Sequence, residues 1–183
     1  LIKMFFTKSK KRKSIIMKAE NKFLLISPAY PPPFVGGALV WMYTLIENST
    51  HNFDILTARL PDSEKEVIST RHIVFRKKVV HSSSNPSRLA LLISYTYQLY
   101  WVVIHAKKNY YTAILANAEV FQNSLIILLG KIIGIEIIEM GFAEEITVPI
   151  YGRDIKSRIK KIFMQWAYPL ARGHIVVCDF CKD

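Results

Sequence analysis

Gly36 and Gly37 stand at the head of an apolar run, residues 38–48, that reads as a helix. Glycine takes either sign of φ and lets a ligand come close to the backbone. A helix N-terminus offers unpaired amides and a partial positive charge, which together suit a phosphate. The same pair also makes an ordinary tight turn, and spacing alone does not separate the two uses. The chain has neither the G-x-G-x-x-G of dinucleotide-binding turns nor the G-x-x-x-x-G-K-[ST] of phosphate-binding loops. Cys178 and Cys181 form a C-x-x-C, but a zinc site would need two further ligands, and the five histidines show no ligand spacing. A redox pair at the start of a helix is the other use of such a motif. Glu144 and Glu145 fall in a loop and read as solvated.

The elements that must position these residues alternate. Strands are expected at residues 23–27, 53–57, 72–80, 111–116, 135–140 and 174–178, with helices at 38–48, 87–107, 120–133 and 152–172. Pro31, Pro32 and Pro33 exclude a helix before Gly36, because they lack amide donors and push their predecessors into extended conformations. Gly134 ends the helix at 133 in the left-handed manner. Most strands are apolar along their whole length, so both faces should be covered. That pattern predicts an α/β fold, a Rossmann-like parallel sheet with helices on both faces. The strand at 72–80 is more polar and is expected nearer an edge. The helix at 87–107 is uncharged from Leu89 to Ala106, but Ser94, Gln98 and His105 share one stripe. It therefore reads as an amphipathic core or interface helix rather than a membrane span. In the helix at 152–172, Ile155, Ile159, Ile162, Phe163, Trp166 and Leu170 form the apolar face, with Arg153, Lys156, Arg158, Lys160 and Lys161 turned to solvent.

The chain has 183 residues, 51% hydrophobic and 21% charged, with a net charge of +11. This is enough apolar surface for one domain with its own core and excludes a disordered chain. Two cysteines exclude a disulfide-stapled secreted scaffold. Much of the charge sits in a leader, residues 1–22, where eight Lys or Arg face a single Glu20. No secretory signal is legible there. The expected organisation is a disordered basic leader followed by one domain over residues 23–183. The cluster from Lys8 to Lys13 reads as a solvated tail or as a contact to a polyanion. An anionic membrane surface is the partner kept in view for it, and nucleic acid is not expected.

From Leu24 to Gly37 the chain reads LLISPAYPPPFVGG. This resembles the opening of the family 4 glycosyltransferases of the GT-B fold: a hydrophobic strand, an aromatic-Pro-Pro turn, a spacer and Gly-Gly before a helix. Gly130-Lys131, followed by Ile132 to Ile138, is similar to a later helix-to-strand turn of that family. Ile175 to Asp183 resembles the strand and turn that close its N-terminal domain.

The resemblance implies the N-terminal, acceptor-side half of a two-domain enzyme. It implies a nucleotide-sugar donor bound through a second, C-terminal domain, a carbohydrate or lipid-linked acceptor, transfer with retention, no cofactor and no required metal. It places Gly36 and Gly37 near the donor phosphates. It also points to the loops after the fourth and fifth long strands, where Asn117, Glu119 and Gly141 are the expected substrate-binding residues. Asn117 and Glu119 could bind acceptor hydroxyls or cap the helix that follows. Family members often carry His in these two loops and this chain does not, so no catalytic residue is assigned. The chain by itself is expected to be inactive. The expected setting is cytoplasmic, at most peripheral to the inner face of a membrane. The other reading is a non-enzymatic αβ binding module or a truncated remnant.

Overall fold

The structure, a computed structural model, describes residues 22–31, 37–59, 66–68, 72–78, 87–141 and 154–176. Among these, seven strands form one sheet: β1 (Lys22–Ile26), β2 (Asn52–Ala58), β3 (Glu66–Ile68), β4 (His72–Lys77), β5 (Ala113–Ala116), β6 (Glu136–Gly141) and β7 (Gly173–Val176). Their order is β3-β4-β2-β1-β5-β6-β7. Every pairing is parallel except the antiparallel β3–β4 pair. The fold is the expected Rossmann-like α/β sheet. Taking the six parallel strands alone, the order is the 3-2-1-4-5-6 of doubly wound dinucleotide-type folds, which reverses direction between β1 and β5.

The helices are α1 (Gly37–Glu47), α2 (Arg88–Asn109), α3 (Val120–Ile133) and α4 (Ile155–Ala167), followed by a 3-10 turn at Tyr168–Leu170. Two cores sandwich the sheet. On one face Leu25, Ile55, Val74 and Leu115 pack with Met42 and Ile46 of α1. On the other, Leu24, Ile26, Leu56 and Ile114 pack with Trp101 and Val102 of α2, Ile126 and Ile127 of α3, and Ala167 of α4. Period-2 alternation sends successive strand side chains to opposite layers, and each layer is apolar. That is why the strands read as unbroken apolar runs.

Local signals set the helix ends. Ser87 caps α2, its Oγ accepting from the Ala90 amide at 3.2 Å. Asp154 caps α4 by accepting from the Ser157 amide at 3.2 Å, and the Ser157 hydroxyl, then this amide, hold its carboxyl below the usual range. Gly134 closes α3 at φ +78°.

The strand from His72 lies one place from the edge, as expected, with the short β3, which carries no legible strand signal, paired outside it. Three expectations are corrected. The last helix is shorter than residues 152–172: it begins after Asp154 and gives way at Tyr168 to the 3-10 turn that contains Pro169. Its inward face is also different. Ser157, Phe163 and Ala167 turn toward α3 and the sheet, while Ile155, Ile159, Ile162, Trp166 and Leu170 are exposed. Lys22, counted with the leader, is the first residue of β1 and pairs with Asp54 at 2.8 Å.

Candidate ligand crevice at the strand ends

Where neighbouring strands run their connections to opposite faces of a parallel sheet, a crevice opens beyond their carboxyl ends. Here that point lies between β1 and β5. One residue past the strands, Ser27 continues β1 by donating its amide to the Leu56 carbonyl at 3.1 Å. Asn117 continues β5 by donating to the Ile26 carbonyl at 2.9 Å. Asn117 is buried, and its Nδ2 lies 3.0 Å from Met42 Sδ and 3.4 Å from Ser27 Oγ. One amide side chain thus ties together the ends of β1 and β5 and helix α1. Ser27 Oγ in turn donates to the Ala29 carbonyl at 2.7 Å and bends the chain into the proline-rich loop.

The far side of that loop is anchored by a cation. Arg76, buried near the end of β4, donates from Nη2 to the Pro31 carbonyl at 3.0 Å. Arg76 stands opposite Thr57 of β2. Arg76, Thr57, Ser27 and Asn117 therefore form a polar band across four adjacent strands on the α1 side of the sheet. Among the described residues Thr57 Oγ1 and Tyr30 Oη have no hydrogen-bond partner. Burial, and then the charge of Glu47, push the Tyr30 hydroxyl well above its usual pKa, with Arg76 opposing. Tyr30 is therefore a neutral hydroxyl beneath the loop.

Glu119 occupies the N-cap of α3 but makes no side-chain cap bond. Its carboxylate is about half exposed and lies 3.8 Å from Lys160 Nζ of α4. Burial, and then that carboxylate, push Tyr95 up to about 12. Asn123 of α3 reaches back past Glu119, its Oδ1 accepting from the Ala118 amide at 3.0 Å. A carboxylate at the head of α3 already complements the positive end of the helix. This corner therefore repels a phosphate and suits neutral hydroxyl donors.

The sequence-designated residues converge in part. Asn117 and Glu119 stand at the same strand end, on either side of Ala118. Asn117 does not cap α3; it bridges β1, β5 and α1. Gly37 is the first residue of α1, the helix that follows β1. Gly141 is the buried last residue of β6, beside β5. Gly36, Glu144, Glu145, Cys178 and Cys181 lie outside the described residues.

Sequence reasoning missed Arg76, Asn123 and the pair Glu139–His174. Glu139 is buried on β6. Its Oε1 lies 3.4 Å from Asn123 Nδ2, and its Oε2 lies 3.2 Å from His174 Nδ1 on β7. The usable signal for Arg76 was a charge on the same strand face as Val74. Glu139 and His174 meet only through the β6–β7 register, which one sequence does not contain.

No family model matches the chain, and no curated protein matches it. Solved structures do. Sucrose-phosphate synthase from Thermosynechococcus elongatus superposes over 86% of this chain and 47% of its own, with a TM-score of 0.53 and 12% identity. A UDP-glucose:anthocyanidin 3-O-glucosyltransferase, solved in complex with UDP, aligns over 68% of this chain and 30% of its own, with a TM-score of 0.38 and 15% identity. The chain thus spans about half the length of the sucrose-phosphate synthase and shares its fold over that part.

Proposed function

We propose that this chain is the acceptor-side domain of a GT-B glycosyltransferase of family 4 type, which moves a sugar from a nucleotide-sugar donor to a carbohydrate or lipid-linked acceptor with retention. The observation that carries the reading is the reversal of strand order between β1 and β5, together with the likeness of the sheet to that of a sucrose-phosphate synthase. Glu119 offers an exposed carboxylate to acceptor hydroxyls, and Asn117 holds the crevice floor. The Gly36–Gly37 turn is the segment proposed to approach the donor phosphates, leaving the Glu119 corner to the neutral acceptor. The donor's nucleotide would be held by a second domain, so the 183 residues alone are expected to transfer nothing.

The test is transfer from labelled UDP- and GDP-sugars by the natural gene product, read through the coding sequence beyond Asp183, beside residues 1–183 alone. Transfer by the former and none by the latter is the expected result. Turnover by residues 1–183 alone would refute the division of labour. A folded natural product that binds ligands but transfers no sugar would make the chain a binding module. In an active protein, Glu119→Gln is expected to raise acceptor KM about tenfold with a small change in kcat, the mark of lost binding common to ground and transition states. Gly37→Val is expected to weaken donor binding by a similar factor with native circular dichroism, because a side chain there blocks backbone approach. Unchanged donor affinity would remove the turn from the donor site.

A further inference from the structure

Helix α2 is apolar on both sides. Toward the rest of the protein it turns Trp101, Val102 and Ala106, and beside them Ser94 and Gln98, each 2% exposed. Gln98 Nε2 donates to Ser94 Oγ at 3.0 Å, and Gln98 Oε1 accepts from Gln122 Nε2 of α3. The two helices are thus joined by buried amides. The outward side carries Leu89 (66% exposed), Leu92 (63%), Ile93, Tyr100, Val103 and Ile104. Thr96, on the same side, turns its hydroxyl back to the Leu92 carbonyl at 2.8 Å. A helix with water outside carries polar residues on that side. A polar seam between helices and an apolar exterior is the arrangement helices adopt in lipid.

Helix α4, on the other flank of α3, also exposes an apolar stripe. Its exposed stripe is Ile155, Ile159, Ile162 and Trp166, with Ile155 and Trp166 each 76% exposed. The charges around these stripes have one sign. Neither α2, α3 nor α4 contains an Asp or a Glu, while Arg88, Lys108, Lys131, Lys156, Arg158 and Lys161 are exposed on them. The flanking carboxylates are engaged: Asp154 caps α4 and Glu119 faces Lys160.

We propose that the outer side of the α2–α3–α4 layer seats on an anionic lipid surface, with the aliphatic stripes and Trp166 entering the headgroup–acyl boundary and the Lys and Arg side chains meeting lipid phosphates. Charge complementarity selects this occupant. Two copies of the chain face to face would bring like charges together, whereas a bilayer supplies both the anions and the apolar depth that an interfacial helix needs. Helix α2 is long and apolar enough by length and composition to cross a membrane. Trp101, Val102 and Ala106 instead hold it against the sheet, so it lies along the surface. The contact stands on these helices alone and does not depend on the sugar-transfer reading. If both hold, the strand-end crevice lies at the same end as the N-termini of α3 and α4, within reach of an acceptor anchored in the same membrane.

The experiment is flotation of the full chain with phosphatidylcholine vesicles, with and without about one-third phosphatidylglycerol. Binding to the anionic vesicles, weakened by raising salt from about 0.05 to about 0.5 M, is expected, with Trp166 fluorescence quenched by brominated acyl chains. The variant Leu89→Gln, Leu92→Gln, Trp166→Gln changes only exposed positions, and its circular dichroism is expected to be native. It should bind at least about tenfold more weakly. Failure of the folded wild-type chain to bind either vesicle would overturn the proposal. So would binding unchanged in that variant but lost on replacing Lys8, Lys10, Lys11, Arg12 and Lys13 by Gln, which would assign the contact to the leader. Lipid-independent dimerisation abolished by the variant would also overturn it, in favour of a second copy.

Discussion

Asp54 is a carboxylate at 2% exposure on the second strand, held by Lys22 at 2.8 Å and by the Tyr111 hydroxyl, which also accepts from Asn109 Nδ2 at 3.1 Å. Burial, and then the hydrogen bond to Asp54, push the Tyr111 hydroxyl far above its usual pKa, so it stays a donor. Removing the carboxylate strands two donors. Asp54→Ala is therefore expected to cost about 2–4 kcal/mol in urea unfolding, toward the low side because Lys22 keeps partial access to water. Tyr111→Phe should cost about 1 kcal/mol, and the double variant less than the sum of the two. Nearby, His105 stacks on Trp101 at 3.6 Å, and burial, then the Lys108 charge, lower its pKa. The unfolded chain takes up this proton near pH 6.5 while the folded chain resists until lower pH. Folding free energy should thus fall as pH drops below about 6.5 and level off below the folded pKa, and His105→Gln should lose that part of the slope. An equal slope in the variant would assign the acid sensitivity elsewhere.

The third helix shows how an element is fixed both by what it touches and by how it ends. A Cβ on Gly130 would collide with Ile137 Cγ1 and lie 3.0 Å from the Ile135 carbonyl oxygen. Alanine favours helices over glycine by about 1 kcal/mol, yet Gly130→Ala should destabilise by about 1–3 kcal/mol, because α3 must retreat from β6. Gly134 has open space around its missing Cβ, and its φ of +78° is the whole obstacle, so Gly134→Ala should cost only about 1 kcal/mol. Thermal melts that ranked the two the other way would contradict the packing argument. The bounds of α3 were legible because Gly134 and an apolar period mark them. The edge strand β3 was not, since three residues carry no period and its pairing with β4 is long-range. The orientation of α4 was misread for a physical reason: periodicity identifies an apolar stripe but not which medium it faces. In α2 the stripe of Ser94, Gln98 and His105 was found correctly, yet Ser94 and Gln98 point inward.

At the scale of the molecule, strand alternation and apolar runs were enough to specify a covered parallel sheet, and the crevice follows from the order of its strands. The side-chain network within it was less accessible. Asn117 could be picked as a polar residue after a strand, but its role as a tie between β1, β5 and α1 depends on residues 27 and 42, far away in the chain. Glu119 was placed at the head of α3, but its pairing with Lys160 required α4 to fold back beside it.

The strand order also has a consequence in time. The first of the described strands is the centre of the sheet, and its second neighbour, β5, arrives some 90 residues later. At translation rates of about 5–20 residues per second, one edge of β1 waits roughly 5–20 s for a partner. During that interval β1, β2 and β4 can pair only among themselves, with the unpaired backbone of Phe23 to Ile26 presented to any other nascent chain. Chains stopped just before β5 are therefore expected to aggregate, and chains stopped just after it to stay soluble, as separation of soluble and pelleted fractions would show. The same residues that form the central, doubly paired strand of the finished protein are the most exposed to error while it is being made.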